Sequence, residues 1–267
     1  MRVAYFGPAG THTHAAARSA FPDADEVDLP TIAAVIEAVA SGSAEAGVVP
    51  IENSTEGGVT STQDSLLQND VKLKGEIVLE IAQCLGTREQ HLSSIRRVYS
   101  HPQGLAQCRR WLAQNLPQAE LVAAASTSSA ARQAATEPGT AAISSALAAK
   151  LNGLTVLAEV QDRAENATRF VIVAREDAAP TGRDKTSLAF TTAHERGALR
   201  RALEAFDAED INLTRIESRP APGRRWEYVF FTDIEGHRSE PQVTRALERL
   251  GAQCSSVKVL GSYPRAE

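Results

Sequence analysis

The residues Val48-Val49-Pro50-Ile51 pass without a spacer into Glu52-Asn53-Ser54-Thr55-Glu56 and then Gly57-Gly58. An apolar run that ends in polar side chains is how a strand in an α/β sheet delivers binding groups to its carboxyl end. Carboxylate, amide and hydroxyl groups ahead of two glycines, which let a backbone come close, suit a small polar substrate. A solvated turn is the plain alternative. Pro50 lacks an N–H, so the ladder is expected to end there or to lie at an edge.

Three further polar segments follow predicted strands: Gly7-Pro8-Ala9-Gly10-Thr11, Ser100-His101-Pro102-Gln103-Gly104 with Gln107 one turn on, and Glu165-Asn166-Ala167-Thr168-Arg169. Helix N-termini carry free N–H groups and partial positive charge, so loop-to-helix transitions of this type hold carboxylates or phosphates. Each segment alone reads first as a helix cap plus a turn. Four of them in one domain point to a shared anion-binding cleft.

Other chemistries find little support. Gly7-Pro8-Ala9-Gly10 is not GxGxxG, and neither GxxxxGK[ST] nor a GxSxG elbow occurs. His12 and His14 are two apart and face different sides of a helix, which makes them poor metal partners. His101 reads first as a turn-stabilising histidine. Cys84, Cys108 and Cys254 are dispersed, which fits reduced thiols and neither a disulfide framework nor a zinc site.

The elements that must position these groups alternate. Strands are expected at 2–6, 46–51, around Ile77, Leu79 and Ile81, at 98–100, 121–124, 141–143, 155–160 and 170–175. Helices are expected from Thr11 to about Ala20, after Thr31 with Ile32, Val35, Ile36 and Val39 on one face, and at 104–116 and 126–136. This rhythm argues an α/β domain with a largely parallel sheet. It stops at Ala178-Ala179-Pro180-Thr181-Gly182-Arg183-Asp184, a linker by composition. The expected organisation is a first domain at 1–177, a linker at 178–185 and a second domain at 186–267. The second domain reads βαββαβ: strand 187–192, helix with Ala198, Leu199, Ala202, Leu203 and Phe206 on one face, strand 212–217, a turn-rich loop 219–223, strand 227–234, helix with Val243, Leu247 and Leu250, strand 256–260. That is a ferredoxin-like unit. It carries no evident catalytic cluster, which favours a regulatory or assembly role.

Composition bounds the partners. The 267 residues are 43% hydrophobic and 23% charged, ordinary for a globular chain. A net charge of -5 gives no field for nucleic acid or an anionic membrane. No apolar run reaches membrane-span length. Met1 leads at once into a strand pattern, so no signal peptide is expected and a cytoplasmic location is.

Taken in order, these segments resemble the prephenate dehydratase family: Gly7-Pro8-Ala9-Gly10-Thr11, Val49-Pro50-Ile51-Glu52-Asn53-Ser54-Thr55-Glu56-Gly57, Ser100-His101-Pro102-Gln103 with Gln107-Cys108, and Asn166-Ala167-Thr168-Arg169-Phe170. The second half resembles the family's ACT domain through Gly197-Ala198-Leu199, Asn212-Leu213, Ile216-Glu217-Ser218-Arg219-Pro220, Trp226-Glu227-Tyr228-Val229-Phe230-Phe231 and Glu235-Gly236-His237. His12 stands where the family usually has an aromatic residue. No chorismate mutase helix precedes Met1, which resembles the monofunctional form.

The resemblance implies a two-lobed, periplasmic-binding-protein-like catalytic domain. It implies loss of CO2 and water from prephenate to give phenylpyruvate, without cofactor, metal or covalent nucleophile. Thr168 would hydrogen-bond the departing hydroxyl. Asn53, Thr55, Ser100 and Gln107 would orient the substrate, and Glu52 would hold neighbouring loops or serve as a buried structural carboxylate. Gly10, Thr11, Arg169 and Phe170 complete the substrate side. Arg169 either pairs with a substrate carboxylate or anchors its loop through Glu165 or Glu52, and Phe170 belongs to the core. In the ACT domain, L-phenylalanine would meet Ala198, Leu199, Asn212, Leu213 and Ser218 between paired units, with Glu217 and Arg219 touching ligand or linking subunits. A homodimer or homotetramer is expected. Arogenate dehydratase and an amino-acid-sensing binding protein are the competing readings.

Overall fold

The computed structural model describes residues 1–162, 166–221 and 227–266. The first domain is two lobes. Lobe 1 is built from β1 (Arg2–Phe6), α1 (His12–Ala20), β2 (Asp25–Leu29), α2 (Ile32–Ala40), β3 (Ala46–Asn53), β4 (Gly57–Gly58), α3 (Thr60–Gln68) and β5 (Lys72–Glu80). The chain then crosses into lobe 2: β6 (Cys84–Thr87), β7 (Arg97–Ser100), α4 (Pro102–Gln107), α5 (Arg109–Asn115), β8 (Glu120–Ala123), α6 (Thr127–Ala134), β9 (Thr140–Ser144), α7 (Ala146–Leu151) and β10 (Thr155–Glu159). It returns to lobe 1 as β11 (Ala167–Ala174).

Each lobe holds one mixed sheet. The strand orders are β2-β1-β3-β11-β5 and β10-β6-β9-β7-β8. The largely parallel sheet expected from the alternation is corrected. The βαβ units at β1–β2–β3 and β7–β8–β9 are parallel, but the strands on either side of each crossing run antiparallel to their neighbours. A chain that leaves a lobe and comes back enters its sheet from the opposite end.

Helix caps are local and follow the sequence. Thr11 accepts from the His14 N–H and Thr31 from the Ala34 N–H, and Ser126 forms a reciprocal capping box with Ser129. The helix expected at 104–116 is instead two. It begins earlier, at Pro102, and breaks at Cys108. The Asp162 carboxylate accepts from the Arg110 and Trp111 N–H groups and caps the second piece from across the lobe.

The C-terminal unit comprises β12 (Asp184–Thr191), α8 (Ala198–Asp207), β13 (Leu213–Pro220), β14 (Tyr228–Glu235), α9 (Pro241–Gln253) and β15 (Ser256–Pro264). Its antiparallel sheet has the order β13-β14-β12-β15, as a βαββαβ ferredoxin-like unit requires. Arg219 and Pro220, expected in a loop, end β13; residues 222–226 of that loop lie outside the described residues. One sheet face packs under α8 and α9 through Leu188, Phe190 and Ile234. The other packs on lobe 1, where Ala189, Phe231, Leu260 and Tyr263 share a core with Leu66, Val71 and Leu73. With both faces covered, β12 is buried from Asp184 to Phe190. Gly261 lies so close to the Leu73 backbone that a Cβ would stand 2.2 Å from its carbonyl oxygen. Lys258 caps the end of α3, donating to the Leu66, Leu67 and Asn69 carbonyls. Among the described residues no helix is long and apolar enough to cross a membrane.

Candidate active site

The cleft between the lobes closes over a cavity of about 420 Å³ that includes Thr11, His12, Thr13, Asn53, Glu56, Gln83, His101, Gln103, Gln107, Ser126, Thr127, Asn166, Thr168 and Phe170 in its walls. The lobes touch across it. The Gln103 amide donates to the Glu56 carboxylate, and Ser145 Oγ donates to the Gly10 carbonyl at 2.6 Å.

Thr168 is a strand residue. The loop expected at 165–169 is corrected: β11 begins at Ala167, flanked by β3 and β5, and Glu165 lies outside the described residues. Alternation along β11 then sends Thr168 and Phe170 to the cleft side and Arg169 to the other face. Phe170 serves both core and cavity: it packs among Val3, Tyr5 and Ala16 and also lines the cleft.

Pro50 does not end the ladder. β3 runs on to Asn53, but β1 is paired only as far as Val48, and opposite Pro50 the register with β11 slips by one residue. The pairs are Phe170 with Pro50 and Arg169 with Glu52, which leaves Ile51 extra. A bulge of this kind exchanges the faces of everything beyond it. It puts Glu52 on the side of Arg169 and Asn53 on the side of Thr168.

Asn53 is fully committed. Its Nδ2 donates to Thr168 Oγ1 at 2.9 Å, to Asn166 Oδ1 at 2.9 Å and to the Ala167 carbonyl at 3.3 Å. Its Oδ1 accepts from the Thr55 N–H, Thr55 Oγ1 and the Glu56 N–H. Asn53 therefore orients Thr168, and Thr55 orients Asn53. Because Thr168 Oγ1 accepts from Asn53, its own proton is left to donate. Gln107, the last residue of α4, accepts from Gln83 Nε2 at 3.2 Å, which turns its own Nε2 away as a donor.

Other expected site residues lie elsewhere. Ser100 is fully buried behind α4, and its hydroxyl donates to the Ile143 carbonyl at 2.8 Å. Gly104 presses against it: a Cβ there would stand 2.5 Å from Ser100 Oγ. The Gly10 N–H donates to His14 Nδ1, and its Cα rests against Ala148, so Gly10 is a lobe contact. Thr11 caps α1 and lines the cavity. Arg169 pairs with Asp233 at 2.6 Å, Glu52 at 3.3 Å and Glu76 at 3.4 Å, on the face away from the cleft. It anchors; a substrate carboxylate on it is not supported.

Two cavity residues are His12, the departure from the family's usual aromatic, and Gln83, which carries no motif signal. His12 Nε2 is buried without a partner, and burial pulls its imidazole down to about 4. Gln83 Oε1 is likewise buried and unpartnered. His14 is a core histidine stacked on Tyr5. His101 caps α4 by accepting from the Gln103 N–H. Burial raises the Cys84 thiol and pushes Cys108 up to about 12, keeping both protonated.

In the C-terminal unit, Ala198 and Leu199 open α8 beside a cavity with His194, Tyr228 and Phe230. Asn212 borders a different one with Glu235 and Glu240. Glu217 accepts from Gln63 at 2.7 Å, and Arg219 reaches Asp64 at 3.5 Å, so within one chain both tie the unit to α3.

Comparison with known proteins identifies the family of the two domains. The prephenate dehydratase family matches residues 3–178 and the ACT domain family residues 186–252. A bifunctional chorismate mutase/prephenate dehydratase of Aquifex aeolicus is 44% identical over 268 residues, covering 100% of this chain and 74% of that protein. The crystal structure of an Arthrobacter aurescens prephenate dehydratase in complex with L-Phe is 36% identical with a TM-score of 0.90, covering 100% of this chain and 90% of that one. GqqA, described as a novel type of quorum quenching acylase, is 32% identical, also with a TM-score of 0.90, over 100% of this chain and 98% of its own. With both domains present in sequence and in structure, this chain belongs to the prephenate dehydratase family.

Proposed function

We propose that the chain is a cytoplasmic lyase that converts prephenate to phenylpyruvate, CO2 and water. The observation that carries the reading is the Thr168 hydroxyl, held by Asn53 as an acceptor so that its proton is free to donate into the cleft between the lobes. In the reaction, the bond from the ring to its carboxylate breaks and releases CO2. Its electron pair enters the ring, and the C4–O bond breaks. Aromatisation supplies the driving force, and what needs help is departure of hydroxide. A preorganised donor at the departing oxygen stabilises the charge that develops there. As the Thr168 proton shifts toward that oxygen, the Asn53 N–H supports the charge left on Oγ1.

Among the described residues that line the cavity there is no Lys or Arg. The N-termini of α1 and α6, whose first residues His12, Thr13 and Thr127 border the cavity, would receive the substrate's carboxylates. Gln107 Nε2 adds a neutral donor. Closer approach of the lobes over bound substrate would exclude water and strengthen each of these interactions. Acyl cleavage, the activity named for GqqA, needs a nucleophile beside a base, and Thr168 has an amide beside it.

L-Phenylalanine is the proposed feedback effector. Ala198 and Leu199 would receive it at the start of α8, and Asn212, Leu213 and Ser218 would come from a second copy, giving a homodimer or a homotetramer. In support, Ala198 and Leu199 border one cavity and Asn212 another within one chain, and β13 is a sheet edge with Ile216 and Ser218 exposed. The test compares turnover of prephenate and arogenate, each with and without L-phenylalanine. Prephenate turnover suppressed by phenylalanine supports the whole reading. Turnover of arogenate alone replaces the substrate and keeps the mechanism. Phenylalanine binding with no turnover of either refutes the enzyme.

A further inference from the structure

Arg169 and Thr168 are neighbours on one strand that face opposite ways. Thr168 points into the cleft, and Arg169 points through the back of the lobe 1 sheet into the C-terminal unit. Its guanidinium meets carboxylates from three different strands: Asp233 on β14, Glu52 on β3 and Glu76 on β5. Glu76 is also held by Lys185 at 2.9 Å, and Glu52 lies 3.5 Å from the Arg215 guanidinium. Arg215 also pairs with Glu217, so four acids and three bases meet in a cluster where the Asp233 and Glu76 side chains are each 2% exposed. Charges buried so deeply are tolerated only while paired, so a move of one group obliges its partner to follow.

Asp233 is fixed from its own side too. Its second oxygen accepts from Ser187 Oγ at 2.5 Å, and Ser187 in turn bonds the fully buried Tyr263 hydroxyl at 2.6 Å. Its carbonyl accepts from Thr214 Oγ1 on β13, the strand that begins at Leu213. The contacts therefore run without a gap from the Asn212–Leu213 corner through Asp233 to Arg169. From there they reach Thr168 along β11, and Asn53 through Glu52.

We propose that Asp233 is a positioning residue for the dehydration: the C-terminal unit supplies it to lock Arg169, and thereby holds Thr168 and Asn53 in their donating geometry. On this account effector occupancy reaches the Thr168 hydroxyl through the Asp233–Arg169 pair, which adds to the hold that Glu52 and Glu76 of lobe 1 have on Arg169. The inference rests on the reading of the Thr168 cavity as the catalytic site.

The test uses the full chain and three variants. Asp233→Asn keeps the shape and removes the charge. Ser187→Ala loosens Asp233 more gently. Lys258→Met cuts the interface far from Arg169, at the carbonyls that end α3. Asp233→Asn should lower kcat about 10–100-fold, the scale of a small misplacement of a catalytic group, with KM within about threefold. L-Phenylalanine should still bind by calorimetry, while its fold-inhibition shrinks toward one. Hydrogen exchange over residues 167–170 should accelerate. Ser187→Ala should move all three readouts the same way by less, and decides the matter if Asp233→Asn does not fold. Lys258→Met should lower the melting temperature alone. The proposal is overturned if Asp233→Asn keeps kcat, inhibition and exchange within twofold, or if Lys258→Met reproduces its losses. Failure of the wild-type chain to turn over prephenate would sink the functional reading separately. The exchange comparison would still decide whether Asp233 holds β11.

Discussion

Asn53→Asp is the most informative single change, because it reverses the hydrogen bond to Thr168; it also removes the donor to Asn166 Oδ1 and the Ala167 carbonyl, so the Asn166 amide must turn over to donate in its place. The surviving Oδ1 still accepts from the Thr55 N–H, Thr55 Oγ1 and the Glu56 N–H, so the loop keeps its shape. The other position changes from donor to acceptor. Thr168, 2.9 Å away, then gives its proton to the new carboxylate and has none for the substrate. Losing one preorganised donor at a developing oxyanion costs roughly 10²–10³ in rate. The carboxylate would also sit about 6 Å from the departing oxygen, two hydrogen-bond lengths away. At an effective dielectric of about 20, like charges at that range repel by about 3 kcal/mol, a further factor of about 100. Together these give a fall of about 10⁴–10⁵ in kcat/KM, read by steady-state phenylpyruvate formation from prephenate. Protonating the new carboxyl restores a donor and removes the charge, so the variant's residual activity should rise as pH falls. An Asn53→Asp enzyme with more than a tenth of wild-type kcat/KM at pH 7 would refute the assignment of Thr168 as donor.

Two other outcomes follow from the same geometry. Ser100→Ala removes a buried hydroxyl that donates to the Ile143 carbonyl, and should lower stability by about 1–3 kcal/mol in urea titration. Its KM should stay within about twofold, and a tenfold rise in KM would return Ser100 to the substrate. Burial holds the His12 imidazole down to about 4 in the folded chain, against the usual 6.5. Between those values the unfolded chain binds the extra proton, so stability rises with pH across that window. His12→Phe should flatten that rise, and an unchanged difference in urea midpoint between pH 5 and pH 7 would contradict it.

Much of the fold was legible because its signals are local. Thr11, Thr31 and Ser126 cap the helices expected of them, and the βαββαβ rhythm of the second half is the fold observed. What could not be read depends on distant partners. The break at Cys108 needs Asp162, more than fifty residues away, to cap the second helix piece. β11 was expected to begin at Phe170, because Asn-Ala-Thr-Arg has the composition of a loop. Pairing with β3 and β5 on both sides makes it strand. Arg169 remained open between substrate and anchor, since its strongest partner, Asp233, belongs to a sheet that is distant in sequence. Pro50 announced an irregularity, but only the register shows that the bulge turns Asn53 toward Thr168. His12 stands out in the sequence as a departure from the family's aromatic and does line the cleft, whereas Gln83 gave no motif signal and emerges only from the cavity between the lobes.

The central claim is that the Thr168 hydroxyl assists departure of the substrate's hydroxyl. It is tested most directly by kcat for phenylpyruvate formation from prephenate in the wild-type chain and in Thr168→Val. The substitution replaces the hydroxyl with a methyl group of similar size, and Asn53 Nδ2 keeps Asn166 Oδ1 and the Ala167 carbonyl as partners. Folding should therefore persist. The predicted result is a loss of roughly 10²–10³ in kcat, with KM within about threefold. A Thr168→Val enzyme whose kcat stays within threefold of wild type would contradict the mechanism.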